Sequence, residues 1–283
     1  MDTSKPRILV VGCASLDTVH IETAKGRSTF ETVGGAGLYT ALAARAAGAT
    51  VTLYAPRTNR LPEKFKRVPE AIDWIGPLVE ADEMPALEIV HHGGGRATLL
   101  NARWGAEEKL APDRLPGSLE GYVGAHIAAL SSTSRQSAFA LVLRERGVPV
   151  LSAGTYARLV YGDRKGVSDL LSKCDFFFMN ANEARGMFGS VKDTPILDGK
   201  IVFVTDGERG ADIFAQEQTM HVNAVPAQEV DPTGAGDTFC GAILAGILSG
   251  RTLEAAVQYA AELAARCITM PGTEAVLKEI LLL

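Results

Sequence analysis

The residues best suited to chemistry lie at 231–237, where the chain reads Asp-Pro-Thr-Gly-Ala-Gly-Asp before an apolar, helix-like stretch. The small residues Gly234, Ala235 and Gly236 leave backbone N–H groups uncovered at the positive end of the predicted helix, which favours a phosphoryl group. Asp237 falls in the first helical turn, where we expect it to be ionised and able to accept the proton of an attacking hydroxyl. The structural alternative is a glycine-rich helix start at which Asp237 is only a cap. For a lone Gly-x-Gly-Asp we would expect that alternative, but for the whole seven-residue segment it is much less expected.

This segment resembles the D-T-x-G-A-G-D signature of the ribokinase-like carbohydrate kinases, the phosphofructokinase-B type. The resemblance implies an ATP-dependent kinase in which Asp237 is the catalytic base and the amides of 234–236 form the anion hole for the transferred phosphate. It also implies that Thr233 contacts ATP. Pro232 stands where the family often has Thr, a departure that lies away from the chemistry.

A second match to this family is Asn180-Ala181-Asn182-Glu183, which ends a predicted strand and opens a predicted helix, like the N-x-x-E motif. The resemblance implies that Asn180 and Glu183 organise Mg²⁺ and the ATP phosphates, usually through water, because magnesium gives up its hydration shell reluctantly. An Asn cap followed by a Glu in the first helical turn explains the same two residues about equally well.

The turn at 205–210 is a third match, because Thr205, Gly207 and Gly210 fit the family's T-x-G-x-x-G turn near the ATP phosphates. Glycine at such positions lets the backbone approach a ligand closely. The resemblance therefore implies that these residues bind nucleotide, although any hairpin could use the same turn on structural grounds alone.

On the acceptor side, Asp17 follows the first predicted strand and Gly34-Gly35 opens the first predicted helix. By the same resemblance, Asp17 holds substrate hydroxyls while Gly34 and Gly35 line the pocket. A buried carboxylate is suited to this role because it can accept hydrogen bonds from two adjacent alcohols. An Asp in a surface turn is the structural alternative for Asp17.

Three departures from the family pattern affect this acceptor side and leave the phosphoryl-transfer side intact. Tyr39 replaces the usual Asn, residues 56–76 lack G-D-D-x-x-G, and residues 152–158 stand where many members have D-P-N-x-R. The reaction type is therefore better supported than the substrate. We predict a small neutral sugar or polyol as acceptor, with a nucleoside stacked on Tyr39 or Tyr156 as the alternative. A sugar phosphate is disfavoured because no basic cluster lies near the proposed acceptor residues. A ligand-binding or regulatory relative without catalysis is a further hypothesis.

Strand-like and helix-like segments alternate through most of the chain, which predicts a doubly wound α/β sheet. Predicted strands cover 7–11, 51–54, 126–132, 148–154, 175–180, 201–207 and 211–215, and the last two form an antiparallel pair. Predicted helices cover 34–48 after a glycine turn, 137–147, 166–174, 181–189, the stretch from 237 to 250, and 252–269. Residues 86–104 predict two strands joined at 93–95, and residues 56–80 remain unassigned. The resemblance implies one ribokinase-like domain over 1–283, with a mostly parallel central sheet between helices and a small β lid from 18–33 and 86–104.

Composition limits the other classes of partner. The net charge of −5 and the isoelectric point near 5.6 argue against nucleic acid or an anionic membrane. An uninterrupted apolar run of about 18 residues, the length that predicts a transmembrane helix, does not occur. The four cysteines lie far apart among small or apolar residues, which predicts buried free thiols and the cytoplasm.

The implied cofactors are ATP and Mg²⁺, and a monovalent cation near Pro271-Gly272 is left open. An exposed lid hairpin could pair with its mate in a homodimer. His91-His92 could suggest a separate metal site, but no further His or Cys lies at ligand spacing. We therefore expect these two histidines to be hairpin residues near a pocket mouth.

Overall fold

The computed structural model describes residues 5–23, 26–93, 97–215 and 218–282. The strands are β1 (Arg7–Val11), β2 (Ser15–Thr23), β3 (Gly26–Gly34), β4 (Thr50–Tyr54), β5 (Arg57–Thr58), β6 (Asp73–Ile75), β7 (Leu78–Val79), β8 (Ala86–His91), β9 (Ala97–Arg103), β10 (Tyr122–Ile127), β11 (Val150–Gly154), β12 (Phe176–Asn180), β13 (Ile201–Thr205), β14 (Ala211–Ala215) and β15 (Gln218–Val222). The helices are α1 (Ala36–Ala46), α2 (Val68–Ala71), α3 (Thr133–Glu145), α4 (Ala157–Gly162), α5 (Arg164–Lys173), α6 (Ala181–Phe188), α7 (Ala235–Leu248), α8 (Leu253–Cys267) and α9 (Glu274–Leu281). Over these ranges no helix has the length and apolar character needed to cross a membrane.

The main sheet contains nine of the described strands, in the order β15-β14-β13-β12-β11-β10-β1-β4-β6. Neighbouring strands from β13 to β6 run parallel, and β14 and β15 extend the sheet with antiparallel pairings. The predicted α/β fold with a mostly parallel central sheet is confirmed. The predicted pairing of the strands near 201–207 and 211–215 is confirmed as well.

The sequence of β1 explains why this sheet is buried on both faces. Ile8 and Val10 belong to the core that contains α1 and α7, whereas Leu9 and Val11 belong to the core that contains α3 and α5. Successive side chains of a strand point to opposite faces, so an unbroken apolar run is what a strand between two helical layers requires. All four cysteines are buried and free, as predicted.

A second sheet, which we call the lid sheet, contains four of the described strands in the order β3-β2-β8-β9. β2 pairs antiparallel with β3 and parallel with β8, and β8 pairs antiparallel with β9. The segments predicted as the β lid contribute to this sheet, whereas most of the turn predicted at 93–95 falls outside the described residues. Because β2 begins shortly after β1 ends, the lid sheet starts from the edge at which the parallel strands finish.

The strand predicted at 126–132 is wrong in position, because β10 covers Tyr122–Ile127. Glycine weakens a strand pattern, which hides the start of β10 in the sequence. A Cβ on Gly124 would lie 2.6 Å from the end of the Leu248 side chain in α7, so α7 packs closely on the sheet at this glycine. The helix predicted at 137–147 begins earlier, at Thr133, because Ser132 caps it by accepting from the amide of Arg135.

Residues 56–80, which remained unassigned, form the short elements β5, α2, β6 and β7. β6 pairs in parallel with β4 and is the last strand at that edge of the main sheet. Elements of two to four residues carry too little periodicity to be recognised from sequence.

Candidate functional site

The predicted site residues gather where the parallel strands of the main sheet end. Asn180 is the last residue of β12, Thr205 is the last residue of β13, and Asp17 lies in β2 just after β1. The carboxyl ends of parallel strands share one edge of a sheet, where ligands commonly bind. The start of α7 lies at the same edge, because a Cβ on Gly236 would be 3.9 Å from the Thr205 hydroxyl.

The loop that precedes α7 presents backbone amides to this edge. Gly234, the N-cap of α7, has φ 77° and ψ 4°, a left-handed conformation that favours glycine. Within the described part of the chain, the amides of Gly234 and Gly236 donate to no group, whereas the amide of Ala235 donates to the Pro232 carbonyl at 3.3 Å. Two of the three predicted amides are therefore free to bind an anion at the positive end of the helix.

Asp237 lies in the first turn of α7 and is half-buried. Burial raises the pKa of its carboxyl to about 7, because loss of water disfavours the charged form. The helix dipole favours the ionised form and burial favours the neutral one, so Asp237 is placed to change its protonation state near neutral pH. A carboxyl that titrates near neutral pH can both take up and release a proton there.

Asn180 and Glu183 form a reciprocal capping box at the start of α6. The Asn180 side chain accepts from the amide of Glu183 at 3.0 Å, and Glu183 accepts from the Asn180 backbone amide at 2.9 Å and its side-chain amide at 2.6 Å. Glu183 is 4% exposed, and burial raises its pKa to about 8, with the negative charge of Asp237 adding to the effect. Asn180 and Glu183 thus form the helix cap that was the structural alternative for this motif. Glu183 is also a buried carboxyl near enough to Asp237 to be affected by its charge.

Asp17 is buried at the base of the lid sheet instead of lying in a surface turn. It is 3% exposed, and its carboxylate accepts from the Leu87 amide of β8 and from the Ser15 hydroxyl, both at 3.0 Å. Burial raises the pKa of Asp17 to about 6. A Cβ on Gly34 would collide with this carboxylate, so glycine is required where β3 passes it. Gly35, with φ 97°, follows and caps α1.

Tyr39 connects the acceptor side of the site to the loop before α7. Its ring fills the space that a Cβ on Gly234 would need, and it is 1% exposed. Burial raises the pKa of the Tyr39 phenol well above its ordinary value, and four neighbouring acidic groups add to this: Cys267, Asp231, Asp17 and Asp237. The charges of both Asp17 and Asp237 therefore act on this one phenol. The predicted stacking of a base on Tyr39 is wrong, because the ring is already covered by protein.

A cavity of about 510 Å³ adjoins the start of α7. Five of the predicted residues line it: Thr205, Gly207, Gly210, Ala235 and Gly236. Thr233 and Asn180 do not line the cavity. The Thr233 hydroxyl bonds to His91, and the Asn180 side chain donates to Glu183.

The sequence prediction missed the apolar wall of this cavity. It consists of Val222, Val225, Phe239, Ala261, Ala264, Ala265 and Ile268. The alanines at 261, 264 and 265 share one face of α8, since residues three and four apart are neighbours on a helix. This group of alanines was the feature of the sequence that could have indicated the wall. A wall of this kind leaves room for a flat apolar group.

Within the described residues, no group of three or more His, Cys, Asp or Glu could hold a metal ion by itself. Glu183 and Asp237 are nevertheless two carboxyls close enough for the charge of one to raise the pKa of the other. Such oxygen donors suit Mg²⁺, which keeps several waters and binds phosphate oxygens. The donor set therefore fits Mg²⁺ held together with nucleotide phosphates.

Comparison with known proteins gives matches over most of the chain. The family model for pfkB family carbohydrate kinases matches residues 79–280. A cytidine kinase of Thermococcus kodakarensis is 28% identical over 266 residues, which cover 90% of this chain and 93% of that protein. A ribokinase of Bacillus subtilis is 22% identical over 286 residues, which cover 94% of each protein.

A solved structure shares the fold. The ribokinase from Cryptococcus neoformans var. grubii serotype A, in complex with ADP, superposes with a TM-score of 0.81 at 19% identity. The match covers 97% of this chain and 98% of that one. It confirms the predicted arrangement of sheet and helices.

Proposed function

Because the chain belongs to the pfkB family of carbohydrate kinases, and is thus a phosphotransferase, we propose that it transfers the γ-phosphoryl group of ATP to a hydroxyl of a small neutral sugar or polyol. The observation that carries this proposal is the first turn of α7, where Asp237, with a pKa of about 7, stands next to free backbone amides. Phosphoryl transfer depends mainly on positioning and charge stabilisation, and both functions meet at this turn.

In the proposed reaction, the acceptor hydroxyl lies between Asp17 and Asp237. Asp17 accepts hydrogen bonds from neighbouring hydroxyls and thereby orients the acceptor. Asp237 takes the proton of the attacking hydroxyl, while the amides of Gly234 and Gly236 stabilise the negative charge on the phosphoryl group. The Tyr39 ring is buried within electrostatic reach of both carboxyls.

Asn180 and Glu183 would hold Mg²⁺ through water, together with the ATP phosphates, as the resemblance of the motif implies. When bound, the metal neutralises charge on the phosphates. Both oxygens of Glu183 already accept from Asn180, so contact through water requires no rearrangement of the capping box.

We place the nucleotide in the cavity next to α7, with its base against the alanine face of α8. Enlarging that face should then block ATP. Ala264→Phe is expected to raise KM for ATP at least about tenfold, because the added ring takes the space of the base. Ala255→Phe, an exposed change on the same helix, is the matched control and should leave KM unchanged. An Ala264→Phe variant with normal KM and a normal rise in melting temperature with ATP would contradict this placement.

The proposed base also predicts a pH dependence. Asp237 must be ionised to accept a proton, and burial raises its pKa to about 7. At saturating Mg–ATP, we expect kcat/KM for the acceptor to decrease between pH ~7.5 and pH ~5, by about tenfold per unit below pH ~6.5. Asp17, with a pKa of about 6, steepens the fall at lower pH. Rates measured between these limits, with melting curves at each pH, test this; a flat profile down to pH ~5 would contradict Asp237 as the base.

A nucleoside is the second candidate acceptor. The rings of Trp104, at the end of β9, and Tyr156, after β11, lie 5.9 Å apart at 49°, and a base could stack on this pair. The likeness to the cytidine kinase over 90% of the chain supports the same candidate. Comparison of kcat/KM over ribose, deoxyribose, inositols and the common nucleosides decides between the classes. A preference of at least about tenfold for nucleosides would replace the sugar proposal.

Three predictions from the sequence concern oligomeric state, location and cations. The lid sheet exposes Phe30, Leu99 and Leu100, which supports pairing of two copies through it. This homodimer, the cytoplasmic location and an effect of monovalent cations remain predictions.

A further inference from the structure

We propose that His91 is a positioning residue that fixes the anion-hole loop, residues 231–236, to the lid sheet. The position of the anion-binding amides then depends on the position of the lid sheet. The proposal rests on the function proposed above for this site. His91 ends β8, the strand between β2 and β9, and its side chain reaches the loop.

The contact is short and almost free of solvent. Nε2 of His91 lies 3.0 Å from the Thr233 hydroxyl and 3.1 Å from Oδ1 of Asp231. The His91 side chain is 6% exposed and that of Asp231 is 0% exposed. Because an ionised carboxylate can only accept hydrogen bonds, Nε2 carries the hydrogen, and this single N–H is shared between the Thr233 hydroxyl oxygen and Oδ1 of Asp231. Hydrogen bonds to an ionised acceptor are among the stronger ones.

Asp231 is ionised in spite of its burial. Burial favours the neutral carboxyl, but the hydrogen bonds from His91, the Gly272 amide and Thr233 outweigh it and keep the pKa of Asp231 below its ordinary value. Oδ2 accepts from the Gly272 amide at 2.8 Å, and Oδ1 accepts from the Thr233 amide at 3.0 Å. One buried charge therefore joins the lid sheet, the start of the anion-hole loop and the turn before α9.

Thr233 links His91 and Asp231 to the anion-binding amides. Its amide is bonded to Asp231 and its hydroxyl to His91, and the next residue is Gly234, whose left-handed conformation opens the hole. Two bonds thus fix the residue that precedes the free amides.

The same strand also reaches the other end of the site. The Leu87 amide in β8 donates to Asp17, the proposed acceptor carboxylate, at 3.0 Å. β8 therefore holds the acceptor carboxylate through Leu87 and the anion-hole loop through His91. A movement of β8 would disturb both halves of the site at once.

Within the described residues, the loop supplies every hydrogen-bond partner of the His91 ring. Nδ1 is buried and has no partner there. Among the described residues, the polar contacts of the ring are thus those with Asp231 and Thr233. The neighbouring His92 differs, because its ring bonds to Glu22 and Thr98, both within the lid sheet.

Because His91 bonds to the loop and His92 bonds within the lid sheet, substitutions of the two histidines form a matched set of variants. His91→Leu removes the donor at similar bulk, His91→Gln restores an N–H donor, and His92→Leu removes the neighbouring ring. With saturating substrates, we expect kcat of His91→Leu to fall about 10- to 100-fold while KM for ATP changes less than about threefold. His91→Gln should recover most of that loss, and His92→Leu should stay within about twofold of wild type. Melting curves ensure that all variants are folded at the assay temperature.

Hydrogen exchange of the backbone tests the coupling without turnover. In His91→Leu we expect faster exchange in peptides that cover β8 and in those that cover 231–237, whereas His92→Leu should affect the lid sheet alone. Unchanged exchange at 231–237 in His91→Leu, or a kcat within twofold of wild type, would overturn the proposal. If wild type phosphorylates no acceptor, the proposed function fails, while the exchange comparison still decides whether His91 couples the two segments.

Discussion

Asp237→Asn is expected to lower kcat by about 10²–10⁴-fold while ATP still binds, because Asn keeps the shape of the side chain but cannot accept the proton. The same variant should be more stable than wild type at pH ~8. The pKa of Asp237 in the folded protein is about 7, above that of an unfolded Asp. Its favourable contribution to the free energy of unfolding is therefore present at acid pH and lost as the pH rises through 7.

Three measurements check this expectation. They are kcat at saturating substrates, the rise in melting temperature with Mg–ATP, and the melting temperature without ligand at pH ~5 and ~8. Asp198→Asn, an exposed change, is the control for the lost charge and should match wild type in all three. An Asp237→Asn variant that turns over at a near-wild-type rate would remove Asp237 from the role of base.

Gly234→Ala is expected to lower kcat by about 10²–10³-fold, the loss typical when an oxyanion-hole donor is displaced. Gly234 has φ 77°, and a Cβ there would collide with the buried ring of Tyr39. The ring cannot move away easily, because it is 1% exposed and packed in the core. The loop must shift instead, and the amides of Gly234 and Gly236 shift with it.

Gly250→Ala separates this collision from backbone strain. Gly250 follows the other end of α7 with φ 83°, and a Cβ there would meet no atom within 4 Å. It should therefore lose only about 1 kcal/mol of stability, the cost of a left-handed alanine, and keep full activity. If Gly234→Ala and Gly250→Ala are both folded at the assay temperature and both have the kcat of wild type, the position of the Gly234 amide does not matter for the reaction.

Much of the site was predictable because its parts are local in sequence. The segment 231–237 contains its own glycines, its helix start and Asp237, so one stretch of chain specifies the arrangement. Asn180 and Glu183 were predictable for the same reason, because a capping box needs only a cap residue and a partner three positions later. The long apolar strands of the main sheet likewise follow from local patterns.

Contacts between distant segments were not predictable. The contact of His91 with Asp231 joins residues 140 positions apart, one in the lid sheet and one in the loop before α7. The pKa of Asp237 depends on how much water the surrounding core removes, which no local pattern states. Tyr39 stood out as a departure from the family, but its packing against Gly234 required the structure.

The most direct test of the central claim is to measure ADP, free phosphate and phosphorylated acceptor together, with Mg–ATP and each member of a sugar, polyol and nucleoside panel. We predict one phosphorylated product for each ADP with at least one acceptor, almost no free phosphate, and loss of both products in Asp237→Asn. ADP accompanied by an equal amount of free phosphate would instead show hydrolysis. Binding of ATP and acceptors without ADP formation would contradict phosphoryl transfer and favour a ligand-binding protein.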